Sequence, residues 1–456
     1  MKSFFQRLVT GGIFSRQESD APASQAAPAP IPMPARMRPT AGPSPTGLLA
    51  GIGSRRPVIS DIGDVIGYEF AIPQLVIDRL NQSNDARVKA AHIAVPLTSA
   101  GLVSRSARIG FARLPAQWLD PAALPVTDSK GVWICIDTLT GHGAASVDRG
   151  QVAQCIAQFQ AAGAKVGWSV DPDSSPASDF AVPRDFVVLQ QGNLPLAALL
   201  TAREAWPAPL QALPILATDL RSEEDLELAL QRGMTYVCGT FQKSDAAPVQ
   251  RVPPDVFRLT TLMNRLMSDA DLQVIVNDIK GDVGLSYRLL TLMKSARFSG
   301  RHAALNVEQA VLTLGRDELH RILSVMLLRH VGARKVSGAL EEIALWRSRF
   351  LELLAIERRE PVPGHFFALG LVSMLGPLLK QDPAALIENI AMADPAKQAL
   401  LTGDGPWGTY LRIATDLEAQ RLDPDSILAH EFGGADRIHA LSDGAWVWAQ
   451  EQSKRN

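Results

Sequence analysis

VWICID (132–137), QVAQCIAQFQAAG (151–163) and AKVGWSV (164–170) follow one another and decide the architecture of the first half of the chain. The outer two are short apolar runs without polar alternation, the pattern of strands buried on both faces of a parallel sheet. The middle run has helical spacing. Val152, Cys155, Ile156 and Phe159 fall on one stripe, and Gly163 suits the left-handed position that ends a helix. The rhythm extends in both directions. GFARL (110–114), DFVVLQ (185–190), LPILAT (213–218) and TYVCG (235–239) read as further strands. SEEDLELALQRG (222–233) reads as a helix capped by Ser222, with Asp225 at the third helical position and Gly233 as its stop. The repeat predicts a βα architecture over about 51–245, as an open sheet or a barrel.

After Pro253 and Pro254 the strand pattern ends and long helical patterns take over. FRLTTLMNRLMSD (257–269) and VGLSYRLLTLMKSA (283–296) are two of them. NVEQAVLTLG (306–315) carries Asn306 as cap, Gln309 in capping-box position and Gly315 as stop, and DELHRILSVMLLRH (317–330) follows at once. Further helices are expected near 338–357, 364–380, 383–391, 395–402, 407–421 and 424–431. This half reads as an all-α domain. Ahead of both halves, residues 18–47 are dominated by Pro, Ala and Ser, the composition of a disordered tether. The division is therefore 1–50 tether, 51–246 βα domain and 247–456 helical domain.

Composition excludes several classes. The formal net charge of −2 over 456 residues gives no overall basic surface for nucleic acid. The basic loop KSARFSGRH (294–302) is a weak signal of that kind, since ordinary solvated loops look the same. Cys135, Cys155 and Cys238 sit in apolar runs without metal-ligand spacing, as buried small hydrophobes of a reducing compartment. No apolar run approaches the ~20 residues that span a bilayer. The segment MKSFFQRLVTGGIF (1–14) lacks the continuous apolar core of a signal peptide. A cytoplasmic protein is expected. GxxxxGK[ST] and GxSxG motifs are missing.

The helical half resembles the HDOD domain, a degenerate relative of the HD phosphohydrolases, through LSYRLLTLMKSARFSG (285–300), NVEQAVLTLGRDELHRIL (306–323) and ALGLVSMLGPLL (368–379). The first half opens RRPVISDIGDVIGYEF (55–70), similar to the first strand of EAL phosphodiesterase domains, and PWGTYLRIATDLEAQ (406–420) is similar to the late part of EAL–HDOD fusions. The resemblance implies a modified TIM-type barrel followed by a helical HDOD domain. It also implies a barrel site at the C-terminal strand ends, where two divalent metals hydrolyse cyclic di-GMP.

That chemistry needs converging carboxylates, an asparagine and a lysine. The EAL triplet falls on Glu69-Phe70-Ala71, the asparagine on Arg113, and the next glutamate near Asp137. The paired aspartates fall on Ser169 and Val170, and a one-residue shift rescues only Asp171. The lysine and aspartate after them fall on Val188 and Gln190, the sixth-strand glutamates on Thr218 and Arg221, and the late glutamine on Cys238. In the helical half, Ser373 and Met374 stand where the metal-binding His–Asp pair would be. No catalytic, metal or cofactor site is expected. The expected function is that of a non-catalytic signalling adaptor in cyclic di-GMP-related, motility or stress circuits, working through unidentified partner proteins. The alternative is a receptor that binds cyclic di-GMP or another nucleotide without cutting it, although the guanine- and phosphate-contacting motifs are eroded too. Output is expected at the cleft around Asp282, Leu285, Ser295 and the loop to Gly300.

Overall fold

The computed structural model describes residues 54–453 apart from 84, 106–107, 125–128, 139–146, 170–179, 181, 192–194, 205, 244–253, 269, 294–305, 332–336, 380–383, 385–386, 388–389 and 391. The expected tether, the segment 1–14 and most of the helix expected at 383–391 lie outside the described residues.

Eight strands close into a barrel in chain order: β1 Ser54–Ser60, β2 Val65–Ala71, β3 Ile109–Pro115, β4 Val132–Asp137, β5 Lys165–Ser169, β6 Phe186–Gln190, β7 Ile215–Ser222 and β8 Tyr236–Lys243. All six strand segments expected from the βα rhythm are present. The stretch 55–70, read as one opening strand, is instead a hairpin. β1 turns at Gly63, whose φ of 91° favours glycine, and runs antiparallel to both β2 and β8. The pairings from β2 round to β8 are parallel. The structure thus settles the choice between open sheet and barrel in favour of closure.

Alternation places one residue of every two inside the barrel. Its closed lower end is an aromatic plug of Phe111, Trp133, Phe186 and Tyr236, with Trp133 4.9 Å from Phe186 and 5.1 Å from Tyr236. Val58, Cys135, Val188, Leu216 and Cys238 fill the space around it. Outside, α1 (Gln74–Asn81) and α2 (Ala86–Ser104) follow β2. A Cβ on Gly110 of β3 would meet the Ala100 carbonyl oxygen of α2 at 2.0 Å, so glycine sets how closely this helix lies on the sheet. Helix α3 (Arg149–Ala161) buries the expected stripe of Val152, Cys155, Ile156 and Phe159. After α4 (Leu196–Glu204) and α5 (Ala208–Gln211) comes α6 (Glu223–Gln231). Its cap is as expected: Ser222 Oγ accepts from the Asp225 amide at 3.1 Å.

The helical half comprises α7 (Pro254–Met267), α8 (Leu272–Lys280), α9 (Val283–Met293), α10 (Val307–Val331), α11 (Ser337–Glu357), α12 (Pro363–Leu379), α13 (Asp394–Thr402), α14 (Gly408–Glu418), α15 (Ile427–Glu431) and α16 (Ala435–Ser453). Asn306 caps α10 through the Gln309 amide at 2.9 Å, and Gly315 breaks it with a φ of 71°. The final helix, α16, was not foreseen. None of these helices is long and apolar enough to cross a membrane.

Barrel and helices form one compact unit. A hairpin joins β1 to β2, so no crossover helix is available to cover their outer face. Helices from the second half cover it. Tyr68, facing outward from β2, packs edge-on against Trp446 of α16 at 5.3 Å, and Trp446 stacks on Trp346 of α11 at 5.1 Å. The Tyr68 hydroxyl donates to Glu342 of α11 and accepts from Arg108 at 2.7 Å and Gln450 of α16 at 2.6 Å. Arg55 of β1 pairs with Asp443 of α16, and Arg79 of α1 reaches Asp423 at 3.1 Å. Residues 51–246 expressed alone should therefore expose Tyr68, Phe70 and Ile59 and fail to give a monomer that unfolds cooperatively. Circular dichroism and size-exclusion chromatography check this, and a soluble, cooperatively melting fragment would show that the seam is dispensable.

Candidate functional site

The C-terminal end of the parallel strands carries the polar layer of the barrel. Glu69 of β2 points inward and is completely buried. Its Oε1 accepts from Arg113 Nε of β3 at 2.9 Å, and its Oε2 from Arg56 Nε of β1 at 2.9 Å. Both arginines continue to a second carboxylate. Arg56 Nη1 donates to Asp219 Oδ1 at 2.7 Å, and Arg113 Nη1 to Asp219 Oδ2 at 3.0 Å. Glu69, Arg56, Asp219 and Arg113 thus close a four-membered ring of alternating charge across the barrel mouth.

Three more side chains complete the ring's contacts. Thr218 accepts from Arg113, Gln190 Nε2 donates to Asp219 at 2.8 Å, and Cys238 Sγ lies 3.4 Å from Glu69 Oε2. Burial works against charge on both acids. The Arg113 and Arg56 guanidiniums outweigh it and hold Glu69 and Asp219 below the ordinary carboxylate range. Burial, with Glu69 adding to it, pushes the Cys238 thiol well up and keeps it protonated.

The residues singled out from sequence mostly converge here. Glu69, Arg113, Asp137, Ser169, Val188, Gln190 and Thr218 all lie at or near the same ends of β2 to β7. Asp137 is buried, and Ser169 shares a hydrogen bond of 2.7 Å with Thr138. The space bounded by Arg113, Cys135, Asp137, Ser169, Val188 and Gln190 is about 10 Å³. That holds roughly one water. Arg221 is exposed. Val170 and Asp171 lie outside the described residues.

Two members of the ring escaped the sequence reading. Arg56 belongs to β1, whose existence as a separate antiparallel strand was not recognised. Asp219 lies between the two positions assigned on β7. Its φ is 64°, and the pairing with β8 is irregular between Ala217 and Leu220. That irregularity breaks strict alternation and brings the Asp219 carboxylate in beside Thr218. The one cue in the sequence was an aspartate directly after the apolar run LPILAT.

In the helical half, Met374 is fully buried core. Ser373 Oγ accepts from Arg347 Nη1 at 2.9 Å and donates to the Gly370 carbonyl at 2.7 Å. Among the described residues, no three His, Cys, Asp or Glu side chains are grouped to hold a metal ion. Asp282 and Leu285, expected at an output surface, line a groove of about 660 Å³ formed by α7, α8 and α9, while Ser295 and Gly300 lie outside the described residues.

The HDOD domain family matches residues 250–389. The chain carries an HDOD domain. Its α7 to α12, with the kink at Gly315 and the Ser373 position, fall within that match. Among curated proteins, the chain is 26% identical over 205 residues to the cyclic di-GMP phosphodiesterase CdgJ of Vibrio cholerae, covering 43% of this chain and 46% of CdgJ. It is 22% identical over 226 residues to YuxH of Bacillus subtilis, an uncharacterized protein, covering 49% of this chain and 55% of YuxH. The chain thus spans about half the length of the curated relatives it matches. Among solved structures, it is similar to the FimX EAL domain of Pseudomonas aeruginosa bound to c-di-GMP (18% identity, 42% of this chain, 88% of that one, TM-score 0.32). It is also similar to an EAL domain of Listeria monocytogenes (14% identity, 42% and 86%, TM-score 0.32).

Replacing Arg113 with methionine keeps an unbranched stem and removes one cation from the ring. Breaking a buried pair in this way costs about 3–5 kcal/mol. The sign with pH follows from the carboxylates. Their folded-state pKa values lie below the unfolded ones, so the ring's stabilisation is complete above the unfolded carboxylate range and fades as pH falls through the depressed values. R113M raises the folded values. The gap in melting temperature between wild type and R113M should therefore be widest near neutrality and begin to close near pH ~4. A gap unchanged across thermal melts from pH 7 to 3.5 would show that the loss is one of packing.

Proposed function

We propose that the chain is a non-catalytic signalling adaptor of cyclic di-GMP-related circuits, acting in the cytoplasm through protein–protein contacts. The observation that carries this reading is the Glu69–Arg56–Asp219–Arg113 ring. Two-metal phosphodiester hydrolysis uses cations to neutralise carboxylates and polarise phosphate. In this barrel two guanidiniums already neutralise Glu69 and Asp219, with hydrogen bonds at 2.7 to 3.0 Å. Those side chains do not suit two divalent cations. A metal ion would have to displace arginines held in place by burial and by both acids. The narrow space beside Arg113, about 10 Å³, supports the same reading. The relationship to CdgJ favours catalysis, and a direct assay decides between them.

The full chain, given cyclic di-GMP with Mg²⁺ and then Mn²⁺, should release no linear dinucleotide. A partner protein that co-purifies and is lost on disruption of the helical surface would support the adaptor reading. Turnover that disappears in Glu69→Gln would overturn it and place the chain among the active phosphodiesterases. Tight binding without turnover would favour the receptor alternative.

A further inference from the structure

We propose that the HDOD helices hold a binding site for a small, neutral, largely apolar molecule bearing one carbonyl or hydroxyl oxygen. This does not depend on whether the barrel is catalytic. A cavity of about 220 Å³ opens between α11, α12, α13 and α14. Val372, Ile387, Leu400 and Leu411 form apolar walls, and Leu400 and Leu411 are half-buried. An apolar cavity of ~150 Å³ is enough to take up benzene. The occupant is therefore the size of one substituted ring.

The polar corner fixes its chemistry. Arg347 is 3% exposed, and its Nε and Nη2 are held by Glu418 at 2.7 and 2.5 Å. Its Nη1 carries two hydrogens, of which one goes to Ser373 Oγ at 2.9 Å. The hydroxyl protons of Ser373 and Thr415 are committed to the carbonyls of Gly370 and Arg412, at 2.7 and 3.0 Å. Among the described residues, the donor left to face the cavity is the second hydrogen on Arg347 Nη1, so the occupant must offer an acceptor. Glu418 already balances the arginine's charge. A carboxylate head would leave an extra negative charge in a buried place, whereas a neutral carbonyl or hydroxyl adds a hydrogen bond without one.

The test uses the full chain and three fluorinated probes of nearly equal size, followed by ¹⁹F NMR: 4-fluoroacetophenone, 4-fluoroethylbenzene and 4-fluorobenzoate. The ketone should bind about fivefold tighter than the hydrocarbon, the gain expected of one hydrogen bond. The benzoate should bind more weakly than the ketone. Val372→Phe and Leu411→Phe each fill the cavity, so whichever variant keeps the wild-type circular dichroism should lose ketone binding. No ketone binding up to its solubility limit would overturn the proposal. So would binding that survives in a folded filled variant, a hydrocarbon bound as tightly as the ketone, or a benzoate bound more tightly than either.

Discussion

Strand β2 presents Glu69 to the barrel interior and Tyr68 to the helices outside, and most of what distinguishes this molecule follows from those two adjacent side chains. Inside, a completely buried carboxylate is tolerable only with full compensation. Arg113 and Arg56 provide it, but two buried guanidiniums need a second acid in turn. Asp219, held at a left-handed backbone position, supplies that charge. No member of the ring can be removed without leaving a partner's charge uncompensated. The four charges therefore constrain one another as a set, and the barrel mouth is closed by electrostatics where the lower end is closed by aromatic packing.

Outside, Tyr68 marks the place where the barrel cannot cover itself. A parallel β–β step brings a helix with it, which lies on the sheet. The antiparallel hairpin from β1 to β2 brings none. The outer face of those strands therefore takes its cover from α11, α14 and α16, and the seam combines aromatic stacking with ion pairs. Stacked aromatic pairs contribute about 0.5–1.5 kcal/mol each beyond simple burial. The continuous run from Tyr68 through Trp446 and Trp346 to Phe350 thus makes the two halves one body.

What the sequence disclosed depended on how local its cause was. Strands β3 to β8 were legible because each is an apolar run a few residues long, bounded by turn residues. The caps at Ser222 and Asn306 were legible because they are settled within three residues. Most of the strand-end positions were legible only through the resemblance to EAL domains, which set Glu69, Arg113, Ser169 and Gln190 at the strand ends. Asp219 was lost because an irregular strand breaks alternation, and nothing in TDLR reports the break. Arg56 was lost with its strand, since the stretch 55–70 was read as one opening strand and the turn at Gly63 was not taken as a break. Helix α16 was missed for another reason: its Trp446 and Asp443 are explained by partners nearly 400 positions earlier in the chain, which no local pattern reveals.

Helix α11 ties these levels together. Glu342 meets the Tyr68 hydroxyl, Trp346 one turn later enters the aromatic stack, and Arg347 beside it reaches Ser373 and Glu418. Residues four apart share a helix face, and the next residue turns toward the neighbouring one. The seam with the barrel and the polar corner of the helical cavity are therefore fixed on a single rigid element within two turns. A shift of α11 that eased the contact with Tyr68 would also move Arg347 against Glu418, a buried pair that tolerates little displacement. The position of the helical half on the barrel and the shape of its cavity are set by one helix and cannot vary independently.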